Sequence, residues 1–316
     1  MNRDAKIFVA GHAGMVGSAI VRSLQGKGYT SILARGRSEL DLMDQRAVYE
    51  FLGRERPDYI FIAAAKVGGI LANNSLRADF LAQNLAIELN LIDGAHRAGI
   101  ERLMFLGSSC IYPRDCPQPI REEYLLTGPL EKTNEPYAIA KIAGIKLCEN
   151  YNQQYRRRYV SVMPTNLYGP NDSYDLAGSH VIPALLRKVH EAKINNEPEV
   201  VVWGSGTPRR EFLYVEDLAD ACVYLMETGY EGALVNIGTG VDVTIRELAE
   251  LIMKSVGYDG AIRFDANKPD GTPRKLLDVS RMSGLGWTAR TSLEDGIRNT
   301  YATAPFGSPK IQSRAS

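Results

Sequence analysis

Lys6-Ile-Phe-Val-Ala-Gly-His-Ala-Gly-Met-Val-Gly17 is the stretch that decides the fold. Residues 6–10 are a short apolar run with the length of a strand buried in a parallel sheet. Glycines at 11, 14 and 17 follow, and Ser18-Ala-Ile-Val-Arg-Ser-Leu-Gln25 has helical spacing that ends at Gly26 and Gly28. Strand, glycine turn and helix in that order let the backbone approach a ligand closely. The helix N-terminus then offers free N–H groups and a partial positive charge to a pyrophosphate. An ordinary strand-to-helix turn needs one glycine, whereas three at this spacing predict a dinucleotide. The next strand, 31–34, ends in Arg35-Gly-Arg37-Ser38. An acidic residue about 20 positions past the glycines favours the free ribose hydroxyl of NAD, and arginine favours a 2′-phosphate. Arg35 and Arg37 therefore predict NADP. Asp41 comes too late to be the ribose ligand and is expected near the adenine.

Outward from this unit the chain alternates. Helical spacing covers 44–54, 76–97 and 137–156, and in 76–97 the residues Phe80, Leu81, Leu85, Leu89 and Ile92 recur on one face. Strand-like runs cover 59–63, 102–107 and 159–163. This rhythm predicts an α/β fold, a Rossmann-type doubly wound parallel sheet, with ligands beyond the carboxyl ends of the strands. Beyond residue 170 the rhythm loosens into helices at 181–195, 215–228 and 244–256 and strands at 200–203, 234–237 and 261–264. The expected organisation is an NADP-binding domain over 1–170, to which later segments return, and a smaller C-terminal α/β substrate lobe mainly from 171–303. The tail 304–316 is rich in Pro, Ser, Gly and charge and is expected to be flexible.

Composition excludes several classes. Lys+Arg and Asp+Glu are both 37, so no net positive charge steers nucleic acid. The longest apolar runs fall short of a membrane span, and no basic-then-apolar signal segment opens the sequence. Cys110, Cys116, Cys148 and Cys222 lack Cys-x-x-Cys spacing, so neither a metal site nor a disulfide framework is expected. A reduced cytoplasm is the expected location.

The chemistry is first suggested by Tyr137 and Lys141. Four residues apart on a predicted helix, they share a face, and a cation beside a phenol moves its pKa from about 10 toward the working range. Among 16 tyrosines this spacing arises about once by chance, so the pair needs its context.

With Gly11-x-x-Gly14-x-x-Gly17, Ser108 and Tyr137-x-x-x-Lys141 in hand, the chain resembles the extended short-chain dehydrogenase/reductases that act on nucleotide sugars. The resemblance narrows on Ala63-Ala-Ala-Lys-Val-Gly-Gly-Ile70, Leu106-Gly-Ser-Ser-Cys-Ile-Tyr-Pro113, Asn134-Glu-Pro-Tyr-Ala-Ile-Ala-Lys141, Met163-Pro-Thr-Asn-Leu-Tyr-Gly-Pro170, Ser179-His-Val-Ile-Pro183 and Lys268-Pro-Asp-Gly-Thr-Pro-Arg-Lys275. These are similar to members that convert GDP-4-keto-6-deoxy-D-mannose to GDP-L-fucose, epimerising C3 and C5 and then reducing the C4 ketone with NADPH. The resemblance implies that Cys110 is the base and His180 the acid of epimerisation, and that Tyr137, Lys141 and Ser108 serve the reduction. It implies cofactor contacts from Gly11, His12, Ala13, Gly14, Met15, Val16 and Gly17, from Arg35, Arg37, Ser38, Glu39, Leu40, Asp41 and Leu42, and from Leu106, Gly107, Ser108 and Ser109. Tyr137, Lys141, Pro164, Thr165, Asn166, Leu167 and His180 complete that set. It implies substrate contacts from Lys188, Trp203, Arg210 and Asp270, and a homodimer through helices 76–97 and 137–156.

Taken singly, these residues have plainer readings. Cysteine is often buried as packing, His180 could cap its helix, and Lys188 lies in a charged helix. His96 and His190 are expected to be solvated on helices. Ala13 stands where family members often carry arginine beside the cofactor phosphate, so NADP preference is expected to rest on Arg35 and Arg37. A 4-epimerase or dehydratase of the same family would not need the Cys110/His180 pair. A non-catalytic NADP-binding protein would not need Ser108, Tyr137 and Lys141 together.

Overall fold

The computed structural model describes residues 1–176, 178–232, 234–268 and 270–306. Its elements run β1 (Ile7–Ala10), α1 (Met15–Gly26), β2 (Ile32–Leu33), α2 (Gln45–Glu55), β3 (Tyr59–Ile62), α3 (Ile70–Ser75), α4 (Arg77–Arg97), β4 (Arg102–Leu106), α5 (Glu135–Tyr155) and β5 (Arg158–Pro164). They continue with β6 (Asn166–Tyr168), α6 (Val181–Ile194), β7 (Glu199–Trp203), β8 (Arg209–Tyr214), α7 (Val215–Thr228), β9 (Leu234–Ile237), β10 (Asp242–Thr244), α8 (Ile245–Val256), β11 (Ala261–Asp265), β12 (Arg274–Lys275), α9 (Ser280–Gly284) and α10 (Leu293–Thr303).

Six strands make one parallel sheet in the order β2-β1-β3-β4-β5-β9. The order reverses between β1 and β3, the switch point at which such sheets bind ligands. Side chains alternate across the sheet. Ile7 and Val9 join the layer that holds α1 and α7, while Phe8 and Ala10 join the layer under α2, α4 and α5. The sheet is thus covered on both faces, as the near-continuous apolar strands require. β9, from the C-terminal half of the chain, closes its edge.

The smaller lobe holds the third apolar cluster. There β10, β8 and β12 pair in that order with β6 on β8, and β7 pairs with β11. Of these pairings only β8–β10 is antiparallel. Among the described residues, no helix is long and apolar enough to cross a membrane, and no group of three or more His, Cys, Asp or Glu could hold a metal ion.

Three expectations need correction. In α4 the buried stripe is Phe80, Asn84, Glu88, Leu91, Ile92 and Ala95, and Leu89 faces outward. The polar members are buried because each has a partner: Asn84 accepts from Lys66 N and donates to Lys66 O and Phe80 O, and Glu88 meets Lys141. His96 and His190 are packed rather than solvated. His96 lies against the rings of Tyr151 and Tyr155, and His190 stacks on Phe306 and bonds Tyr301 Oη at 2.9 Å. That stack holds Phe306 against the third cluster, so residues 304–306 belong to the lobe. The rest of the expected tail, 307–316, lies outside the described residues.

Candidate active site

The glycine turn forms the first wall of the cleft. Gly11 has φ +84°, and a Cβ there would sit 2.6 Å from Ala64 N, against the end of β3. A Cβ on Gly17 would lie 2.1 Å from Gly11 O. Neither backbone neighbour can yield, so only glycine closes this turn. Gly14 caps α1 without a side chain, leaving the first N–H groups of the helix open to an anion. His12 Nδ1 is buried without a hydrogen-bond partner. Arg35 is anchored by donating to Ala34 O at 2.8 Å and lies over the Phe51 ring, whereas Arg37, Ser38, Glu39 and Asp41 are exposed at the rim. Ala13 is also exposed, and Leu40 is buried. A backbone cradle, an uncapped helix end and a fixed arginine fit a dinucleotide phosphate. Asp41 accepts from Met43 N, the local turn that fixes the rim.

The second wall comes from the loop after β4 and from α5. Gly107 lets β4 pass against Met163, which a Cβ would strike at 2.2 Å. Ser108 Oγ accepts weakly from Cys110 N at 3.4 Å, and its hydroxyl also reaches the Cys110 thiol. Pro136 in the first turn of α5 fits the missing N–H there and helps fix where Tyr137 points. Lys141 Nζ lies 5.8 Å from the Tyr137 ring centroid, 4.6 Å from that of Phe105 and 3.0 Å from Glu88 Oε1. The expected downward pull on Tyr137 is not realised. Burial pushes its phenol well above the ordinary 10.0, and Cys110 and Glu88 push the same way. Thr165 and Asn166 both donate to Glu211 O, so their side chains tie β5 and β6 to β8.

Cys110 is buried, and burial pushes its thiol up, while the Lys275 ammonium nearby pulls it down. His180 is the N-cap residue of α6 but makes no side-chain cap bond, so its imidazole is free for other work. Burial lowers its pKa and Lys275 lowers it further. His180 is exposed, while Tyr137 and Lys275 are half-buried. Lys275 thus lies within electrostatic reach of both Cys110 and His180. Sequence reasoning gave it no role, although it ends one of the quoted motifs. Its strand β12 pairs with β8, in register with Arg210.

The four expected substrate residues form the far end. Lys188 Nζ and Lys268 Nζ each lie 5.1 Å from the ring centroid of Trp203, a residue that is 60% exposed. Burial lowers the pKa of Lys188. Asp270 accepts from Ser205 N at 2.6 Å and Ser205 Oγ at 2.8 Å, and its charge is felt by Arg210. Buried polar atoms without protein partners also occur at Asn134 Oδ1, just before α5, and at Ser179 Oγ, beside His180. Such atoms are expected to meet a ligand or water.

The chain belongs to the NAD dependent epimerase/dehydratase family, whose model matches residues 7–238. Among its relatives is the GDP-L-fucose synthase of Escherichia coli (strain K12), 59% identical over 94% of this chain and 95% of that protein. The GDP-L-colitose synthase of Yersinia pseudotuberculosis is 41% identical over 93% of this chain and 96% of its own. A solved GDP-L-fucose synthetase from Naegleria fowleri, bound to NADP, superposes with TM-score 0.87 at 28% identity over 96% of this chain and 94% of that one.

Proposed function

We propose that this chain is an NADPH-dependent epimerase and reductase that converts GDP-4-keto-6-deoxy-D-mannose to GDP-L-fucose. The observation that carries the reading is a thiol within electrostatic reach of Ser108, Tyr137 and Lys141, and joined to an imidazole through Lys275, which is felt by both. A simple reductase has no use for Cys110 and His180. The relatives' names point to the same sugar nucleotide.

In this reading the C4 ketone acidifies the hydrogens on C3 and C5, because the carbanion is delocalised onto the ketone oxygen. Cys110 removes a proton and His180 returns one on the opposite face. Lys275 favours the thiolate of Cys110 and makes protonated His180 a stronger acid, which suits both roles. Bound NADPH supplies a hydride to C4. Tyr137 gives its proton to the C4 oxygen, and the Ser108 hydroxyl donates a hydrogen bond to the same atom as charge develops there. Gly11, His12, Gly14, Gly17 and Arg35 hold the cofactor, with the other turn and rim residues around them. Arg210 and Lys188 neutralise the substrate diphosphate, Trp203 gives the guanine a face, and Asp270 accepts from a hydroxyl or base N–H.

The outward face of α4 and α5 carries exposed Leu89, Ile139 and Tyr155, and we assign it to a second copy of the chain. The four free thiols suit a reducing cytoplasm. The test is NADPH oxidation at 340 nm with GDP-4-keto-6-deoxy-D-mannose, the product identified by NMR. Wild type should give GDP-L-fucose. Cys110→Ser should lose inversion at C3 and C5. Unchanged epimerisation in that variant would remove Cys110 from the mechanism.

A further inference from the structure

Glu88 is a buried carboxylate for which the mechanism above has no use. It sits on α4, 1% exposed, in a helix stripe otherwise built from apolar residues and Asn84. Its Oε1 pairs with Lys141 Nζ at 3.0 Å, and its Oε2 has no hydrogen-bond partner. The packing makes room for it. Gly144, one turn beyond Lys141 on α5, faces it, and a Cβ there would come within 3.0 Å of Oε2 and 2.4 Å of the Phe105 ring. That ring covers the other side of the ammonium at 4.6 Å. Lys141 thus contacts an aromatic face and a carboxylate while standing 5.8 Å from the centre of the Tyr137 ring.

Burial this complete is expensive for a lone charge and tolerable for a pair. Burial raises the Glu88 carboxyl above its ordinary value and the Lys141 ammonium 3.0 Å away opposes that rise, so it is the paired lysine that favours the carboxylate. The surrounding groups do not replace this balance. From α5, Tyr137 and Cys148 face the pair. Cys110 comes from the loop after β4, with Lys275 beyond it, and Ser161 comes from β5. None of the groups nearest the pair is a second cation.

We infer that Glu88 is a positioning residue whose carboxylate cancels the charge of Lys141 beside Tyr137, so that Tyr137 is held as a proton donor. The inference rests on the proposed reductive step and sets its direction. An enzyme that oxidises an alcohol needs a phenolate to take a proton, and a bare ammonium beside the tyrosine provides one. An enzyme that reduces a ketone needs a phenol with a proton to give. A neutralised lysine preserves that phenol while its N–H groups remain free to orient a bound ribose.

The experiment compares Glu88→Gln with wild type. The alkaline limb of kcat/KM for reduction should move down by about one pH unit, because the uncancelled ammonium favours phenolate. The Tyr137 signal of ¹³Cζ-tyrosine protein, assigned by its loss in Tyr137→Phe, should titrate at correspondingly lower pH. Glu88→Asp keeps the charge one methylene further away and should give an intermediate shift. A residue that merely packs would change stability or rate and leave both titrations in place. An unmoved or upward-moving limb in folded Glu88→Gln overturns the inference. If that variant does not fold, an unmoved Tyr137 titration in Glu88→Asp does so. A wild type that does not turn over GDP-4-keto-6-deoxy-D-mannose would instead defeat the proposed activity, since the NMR titration needs no substrate.

Discussion

The two sides of the cleft are made by different means. The cofactor side is built from backbone: a strand, three glycines, an uncapped helix end and a sheet whose strand order reverses at that point. The substrate side is built from buried or half-buried charges, among them Lys275, Arg210 and Glu211, carried on two neighbouring short strands of one small sheet. Glu211 is fully buried and accepts from Thr239 N, Gly240 N and Leu277 N, so one carboxylate ties β8 to the loop after β9 and to the run after Lys275. Asp242 does the same at the rim for Arg209 and Arg274. Backbone walls should fail by steric clash and charge-built walls by loss of a single carboxylate.

The largest effect is expected where the two sides meet. Tyr137→Phe should lower NADPH-dependent reduction about 1000-fold while the melting temperature stays close to wild type, since only the acid is removed. Gly17→Ala tests the backbone side. The new methyl collides with Gly11 O, the turn must open, and the KM for NADPH should rise about 100-fold. A normal KM would break the contrast. Glu211→Gln tests the charge side and should cost about 1–3 kcal/mol in urea unfolding, because a neutral amide is a weaker acceptor for three N–H groups. The smallest effect is a pH dependence at Asp242. Burial alone would raise its pKa, but Arg274 and Arg209 more than offset this and hold it below its ordinary value. Its stabilisation is therefore present above about pH 4 and is lost as pH falls through the depressed folded value. The gap in melting temperature between wild type and Asp242→Asn should close on acidification below that point.

The same contrast explains what could be read from the chain. The glycine turn and the alternation of residues 7–164 are local patterns, and elements there matched their expected spans to within a few residues, with a short α3 before α4. Tyr137 and Lys141 were legible because one helix carries both. Lys275 was not, because its neighbours Cys110 and His180 are 165 and 95 residues away in sequence and only the β12–β8 pairing brings it to them. Glu88 was missed because a charged residue in an amphipathic helix reads as surface. The clue was its i, i+4, i+8 spacing with Asn84 and Ile92, which placed it on the buried face.

Trp203 has a consequence of an optical kind. The chain has two tryptophans, and the other, Trp287, is 4% exposed with its indole N–H held by Asp220 at 2.9 Å. Trp203 stands open between two ammonium groups at the mouth proposed for the guanine. Change in the intrinsic fluorescence on adding GDP would then originate at one indole, giving the protein an unlabelled reporter of nucleotide arrival separate from the absorbance that follows hydride transfer.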